Sequence, residues 1–306
     1  MSVKKLSNVA HSVRDRLLAL SREGGRDFNY VLQRYAYERL YFRLGRSVHS
    51  ARFVLKGASL FAVWLGPMFR VTQDTDFESN LAPDHEGMRK AFSEILMTPV
   101  PEDGLTFDTA SLTVEDIKKE DKYKGVRVRL TARLGVAQIP LQIDIGFEDS
   151  IYPSPVYGEY PTLLPGEAPR VKLYPQYTVL AEKISTIVEL GMRNSRLKDY
   201  FDLWVLLGRF SFDYALFRTA LQRTFKRRGL VLPESWPTGL TETFAADAMK
   251  QSQWRAFLRK IEPEEKPASL LLAVERVRRF LEPVLRPARD GGMHLVWRPP
   301  DGWIEG

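Results

Sequence analysis

The stretch Phe53-Val-Leu-Lys-Gly-Ala-Ser-Leu60, followed by Arg70-Val-Thr-Gln-Asp-Thr-Asp-Phe77, decides how this chain folds. Residues 53–55 form a short apolar run entering a turn at Gly57, and Leu60, Phe61, Val63 and Trp64 then read as a helix ending near Gly66-Pro67. Residues 71–78 read as the next strand. Side chains alternate along a strand, so Thr72, Asp74, Asp76 and Glu78 share one face, while Val71, Gln73, Thr75 and Phe77 take the other. Such an anionic row needs solvation or a counter-charge, because two carboxylates about 4 Å apart repel by about 4 kcal/mol at an effective dielectric near 20. A hard cation such as Mg²⁺, commonly held by one or two carboxylates plus substrate phosphates, is the natural counter-charge; a solvated polar face is the plain alternative. The turn upstream points the same way. Lys56-Gly57-Ala58-Ser59 joins a strand to a helix, where backbone N–H groups and the helix dipole can hold an anion. Gly57 permits close approach, Ser59 offers a hydroxyl and Lys56 a charge, although a bare strand–helix connection would look similar.

Working outward, Val13, Leu17, Leu18, Phe28, Val31, Leu32, Tyr35, Leu40 and Leu44 recur at helical spacing and predict two helices over 9–44, broken at Gly24-Gly25. A helix over 86–97 follows the Pro83-Asp84 start signal. A hairpin comes next, with arms 126–134 and 137–147 about a turn near Gly135. In its second arm Leu141, Ile143 and Ile145 alternate with Gln142, Asp144 and Gly146, so Asp144 stands opposite the apolar face as a third acid. Residues 152–169, rich in Pro, Tyr and Gly, read as a loop and place the boundary between a sheet domain, 1–165, and a second domain, 166–306. Helical patterns over 177–190, 197–209, 212–228, 244–261 and 269–285 make that second domain a helical bundle, closed by an irregular strap over 287–306.

Composition narrows the class. With 306 residues, 44% of them hydrophobic and 27% charged, the chain has the make-up of a soluble globular protein. Absence of cysteine excludes disulfides, a thiolate nucleophile and cysteine-held zinc or iron–sulfur sites. No run nears the ~20 apolar residues of a membrane span, and Met1-Ser-Val-Lys-Lys-Leu-Ser-Asn8 lacks the apolar core of a signal peptide, so the expectation is a cytoplasmic protein without a membrane partner. A net charge of +7 and a pI near 9.4 favour polyanions. The densest cationic run is Arg223-Thr-Phe-Lys-Arg-Arg228, with Arg276, Arg278 and Arg279 later; it reads as a solvated helix face or as a phosphate-backbone contact. None of His11, His49, His85 and His294 has metal-pair spacing, and no nucleophile elbow occurs.

A small-residue turn, a helix, Asp-x-Asp and a later strand carboxylate form the pattern of the nucleotidyltransferases with a DNA polymerase β-like fold. The chain resembles it at Gly57, Asp74, Asp76 and Asp144, with Ala58 where a second Gly or Ser is usual. It is most similar to one branch, the AbiEii/AbiGii-type toxins of bacterial toxin–antitoxin systems, MenT-type enzymes included. That similarity lies in Tyr37-Glu-Arg-Leu-Tyr-Phe-Arg43, Phe53-Val-Leu-Lys-Gly57, Arg70-Val-Thr-Gln-Asp-Thr-Asp76, Ala181-Glu-Lys-Ile-Ser185 and Arg196-Leu-Lys-Asp-Tyr-Phe-Asp202.

The resemblance implies an α+β fold, a mixed sheet flanked by helices with a C-terminal helical bundle. It implies a Mg-dependent enzyme that moves a nucleotide from an NTP to RNA, the 3′ end of tRNA foremost, releasing pyrophosphate and inhibiting translation. On this reading Asp74, Asp76 and Asp144 hold two Mg²⁺ ions, and Lys56, Gly57, Ser59 and Thr72 hold the nucleotide. Lys183 on one helix reaches the triphosphate, and Asp199, opening the next, is catalytic. A cognate antitoxin is implied too, acting by contact or by modifying a hydroxyl such as Thr72 or Ser59. Read from residues alone, Lys183 flanks the stripe Leu180, Ile184, Ile187, Val188, Gly191, and Asp199 is equally a first-turn acid facing the helix dipole; Asp202 shares that ambiguity. A protein or small-molecule hydroxyl as acceptor, and a non-catalytic RNA- or protein-binding module, are the alternatives that the fold also permits.

Overall fold

Gly24-Gly25 separates the first two helices, α1 (Val3–Glu23) and α2 (Phe28–Arg46), and Asp27 caps the second by accepting from Tyr30 N–H at 3.0 Å. The computed structural model describes residues 3–66, 69, 74–117, 125–147, 149–261, 263, 265–286 and 294–306, with side chains from residue 8. The chain forms two compact units, Met1–Asp149 with Pro155–Tyr174, and Ser150–Ser154 with Pro175–Gly306.

In the first unit α2 is buried from Val31 to Leu44 on nearly every side, which is why its sequence shows only a weak apolar stripe. Its charges are met internally. Arg43 forks onto Asp103 at 2.6 and 3.2 Å, and Glu38 accepts from Leu163 N–H at 2.8 Å and pairs with Arg39 at 2.9 Å. Next come β1 (Phe53–Lys56), a 3-10 turn (Gly57–Ser59), α3 (Leu60–Leu65), β2 (Thr75–Ser79) and α4 (His85–Leu96), the last capped by Asp84 as its start signal predicts. The strands β3 (Leu105–Asp116), β4 (Gly125–Leu134), β5 (Ala137–Phe147), β6 (Val156–Glu159) and β7 (Arg170–Leu173) complete a seven-stranded mixed sheet of order β3-β4-β5-β2-β1-β7-β6. The pairs β2–β5 and β1–β7 are parallel and the rest antiparallel. Leu55, Phe77, Ile143 and Ile145 are buried on the α2 side, where Tyr41 packs edge-on against Phe77.

Three sequence expectations change here. The described β2 begins at Thr75, so its charged row consists of Asp76 and Glu78, with Asp74 just outside the strand; Arg70 to Gln73, Thr72 among them, lie outside the described residues. The span 152–169 is not all loop, since β6 lies within it. The sheet unit also runs past 165/166 to Tyr174, because β7 pairs with β1 in the sheet interior.

The second unit is mainly helical: α5 (Gln176–Leu190), α6 (Leu197–Arg209), α7 (Tyr214–Arg228), α8 (Glu242–Ala246), α9 (Ala248–Ile261) and α10 (Leu270–Leu285). Residues 212–213 form β8 before Asp213 caps α7, and 244–261 divides at Asp247. The described tail is no irregular strap. Its strands β9 (Leu295–Arg298) and β10 (Gly302–Glu305) form a hairpin beside β8, anchored where Trp297 Nε1 donates to Leu207 O at 2.7 Å and Trp303 stacks on Phe280. Among the described residues no helix is long and apolar enough to cross a membrane.

Candidate active site

Strand register builds the site. Lys56 on β1 pairs with Asp76 on β2, Asp76 with Asp144 on β5, and Asp144 with Arg127 on β4. Residues directly opposite on adjacent strands project from the same face, so a row of cation, acid, acid, cation crosses the sheet on the face away from Phe77 and Ile143. Asp74 stands at the entrance to β2, half-buried, and its charge acts on both Arg127 and Tyr37. The Tyr37 hydroxyl donates to Gln142 O and accepts from Gln142 N–H, each at 3.0 Å. Burial first, then the charges of Tyr41, Asp74 and Asp144, pushes its pKa far above the usual tyrosine value and keeps it a neutral donor.

The two outer cations are already engaged. Arg127 grips Asp144 with Nε and Nη2, each 2.7 Å from a different carboxylate oxygen. That fork raises the arginine pKa further. Lys56 Nζ lies 2.8 Å from Glu78 and 2.6 Å from Asp149, so it is an internal counter-ion and not the phosphate-facing charge that its place in the turn predicts. Burial pushes the Glu78 carboxyl up to about 7 despite the pull of Lys56, and the Asp149 charge adds to the rise. Gly146 makes room for this pair: a Cβ there would meet Glu78 Oε2 at 2.7 Å and Lys56 Nζ at 2.8 Å.

Ser59 is also placed differently from expectation. Only 3% of it is exposed, and its hydroxyl shares a buried cluster with Tyr41 at 3.1 Å and Thr75 at 3.3 Å, so it neither faces a phosphate nor lies open to modification. Gly57 has φ +71, and a Cβ on it would meet Asp76 Oδ2 at 2.0 Å. The glycine therefore seats the Asp76 carboxylate over the turn. Gly57→Ala is expected to strain the backbone by about 1–3 kcal/mol and to displace Asp76. A shift of about 1 Å at a reacting group costs about 100-fold in rate, so transfer should fall by that factor while the protein stays folded. Melting and transfer assays on one preparation check this.

As a donor set, Asp74, Asp76 and Asp144 suit a hard oxygen-seeking cation, and two carboxylates with substrate phosphates are an ordinary magnesium environment. Among the described residues, however, no three metal-ligating side chains are gathered into one cluster. Asp144 has both oxygens on Arg127, so it can serve as a ligand only if Arg127 lets go.

Lys183 and Asp199 belong to the second unit, and the structure brings them together. Lys183 Nζ donates to Asp199 Oδ1 and Asp202 Oδ2, each at 2.7 Å, and Arg196 Nε reaches Asp199 Oδ2 at 3.0 Å. Both aspartate side chains are fully buried. Burial opposes both charges, yet the ion pairs win: Asp199 sits below the usual carboxylate pKa and Lys183 above the usual lysine value. Asp202, ambiguous in the sequence, is a full member of this cluster. The cationic run at 223–228 is partly spent on packing, with Arg223 over the Tyr152 ring and Arg228 bonded to Thr186 and Glu182 O; Arg276 likewise donates to Trp204 O.

Arg127 and Asp149 went unread in the sequence, and Tyr37 entered only as the first residue of a family-like stretch with no role given. Only Arg127 left a signal: counting back from the turn at Gly135 sets it opposite Asp144.

A mixed sheet flanked by helices, an acid pair in register at its centre and a helical C-terminal region are the architecture that the family resemblance implies. Residues 39–283 match the nucleotidyl transferase AbiEii toxins of type IV toxin–antitoxin systems, and the chain belongs to that family. It is therefore a transferase of the nucleotidyl class, from a family that implies a cognate antitoxin. Two crystal structures are similar in outline. JHP933 from Helicobacter pylori is 13% identical with a TM-score of 0.42, covering 82% of this chain and 93% of that one. An H. pylori protein assigned as a nucleotidyltransferase is 14% identical with a TM-score of 0.41, covering 83% and 96%. No curated protein matches the chain.

Proposed function

We propose that this chain moves a nucleotidyl group from an NTP to a hydroxyl at the 3′ end of tRNA, releasing pyrophosphate and thereby inhibiting translation in the cytoplasm. The observation that carries the reading is the in-register Asp76–Asp144 pair on the parallel strands β2 and β5, with Asp74 at the strand entrance. Asp74, Asp76 and Asp144 would hold two Mg²⁺ ions, which when bound neutralise phosphate charge and make a hydroxyl a better nucleophile. Gly57 fixes where Asp76 sits, and Tyr37 braces β5 at Gln142, next to Asp144. Thr72 keeps its place as a nucleotide contact. Lys183, kept protonated by Asp199 and Asp202, retains the triphosphate role that the family resemblance implies for it. Positioning and fixed charge supply the rate, since phosphoryl chemistry asks little else of a protein. A net charge of +7 supports a polyanionic acceptor.

The test is incubation of the protein with each α-labelled NTP, Mg²⁺ and total RNA, alongside a protein extract. Label on tRNA-sized RNA with release of pyrophosphate is the expected result. Label on protein instead overturns the acceptor, and no label with any NTP overturns the reaction.

A further inference from the structure

Asp144 has two partners that exclude one another. Both of its oxygens accept from Arg127, and a carboxylate gripped by a guanidinium fork presents neither oxygen to a metal ion. Arg127 sits between two acids across the strands, Glu115 on β3 and Asp144 on β5, and its neighbour Arg129 takes Glu115. That diagonal contact leaves Arg127 to Asp144 alone. The fork is also not sealed, since the Arg127 side chain is 26% exposed and that of Asp144 14%. A guanidinium carries about five N–H donors; two are spent on Asp144, and no other acceptor among the described residues meets the rest. Such a residue beside a nucleotide site has the planar geometry that recognises phosphate.

We propose that Arg127 is a displaceable counter-ion and positioning residue, which holds Asp144 until a divalent cation takes the carboxylate and then turns its guanidinium onto the phosphates of the NTP. This rests on the proposed reading of Asp74, Asp76 and Asp144 as metal ligands. Its consequence is coupling: the cation competes with Arg127 for Asp144, and the nucleotide relieves that competition by giving Arg127 another partner. Each ligand then tightens the other by the same factor.

Mn²⁺ binding to the full chain, by electron paramagnetic resonance with and without α,β-methylene NTP analogues, tests this in wild type, Arg127→Met and Arg127→Lys. Arg127→Met should bind Mn²⁺ alone about tenfold more tightly, and the gain in Mn²⁺ affinity from the analogue should shrink by about the same factor, as usual coupling strengths predict. Arg127→Lys, a point charge without the fork, should fall between and also serves if the methionine variant does not fold. In turnover, Arg127→Met should raise KM more than it lowers kcat. Unchanged Mn²⁺ affinity and unchanged coupling in a folded Arg127→Met, with Asp76→Asn still losing Mn²⁺, overturns the role of Arg127 alone. Wild type that binds no Mn²⁺ even with the analogue overturns the metal reading as well.

Discussion

Lys183→Met is expected to destabilise the protein by about 3–5 kcal/mol, the usual cost of removing one partner from a buried ion pair. Two carboxylates, Asp199 and Asp202, lose their shared cation where neither side chain touches solvent, and only the half-exposed Arg196 remains to answer one of them. Against a total stability of about 5–15 kcal/mol, that loss removes a large share of the margin. The pH dependence identifies the cause. In wild type the lowered Asp199 pKa adds stability that is present above the unfolded value of about 3.9 and is lost as pH falls through the lower folded value. The raised Lys183 pKa adds stability that is present below about 10.4 and is lost as pH rises through the higher folded value. In Lys183→Met the acid side reverses, because burial, the largest influence on Asp199, then raises its pKa without the lysine to oppose it, so the variant gains stability on acidification where wild type loses it. Urea unfolding from about pH 2 to about pH 12 covers both windows, with Lys183→Met/Asp199→Asn/Asp202→Asn expected to recover most of the loss. A Lys183→Met variant with wild-type unfolding at every pH would sink the cluster. Lys183→Arg, which keeps the charge, then shows whether the cation also serves the triphosphate.

That cluster shows which relations local sequence carries. Lys183, Asp199 and Asp202 lie on helices whose periodicity is plain, yet their pairing spans 16 and 19 residues and depends on how α5 meets α6. The β4–β5 hairpin was legible to the register because alternation and a glycine turn are both local, and the same register sets Arg127 against Asp144. β3 left little trace: Leu105 and Leu112 are its buried residues, and the pairing slips between Asp108 and Thr113, as befits an irregular edge strand. Ser59 misleads for a related reason. A hydroxyl opening a helix looks like an anion donor, but Tyr41, 18 residues earlier on α2, reaches it from the core. Lys56 misleads likewise, since only the pairing of β1 with β2 brings Glu78 within its reach.

Asp76→Asn should cost about 10³-fold or more in nucleotidyl transfer and little in stability. The substitution keeps shape and removes one charge from a row in which two acids lie between two cations, so the fold loses an attraction to Lys56 and a repulsion from Asp144 together. Lys56 keeps Glu78 and Asp149, and Arg127 keeps Asp144, so neither of these two cations is left without an acid. Catalysis has no such compensation. Metal ligation supplies several kcal/mol of charge stabilisation to a phosphoryl transition state, and about 4 kcal/mol corresponds to about 10³-fold in rate. Asp74→Ala should behave alike if the strand entrance supplies a ligand, whereas Asp144→Asn should also release Arg127 and so lose the coupling between cation and nucleotide. Single-turnover transfer and thermal melting on the same preparations separate these effects. A folded Asp76→Asn protein within about tenfold of wild type would remove the carboxylate pair from the reaction, because an amide in the same place is a poor ligand for a hard cation and cannot replace the lost charge.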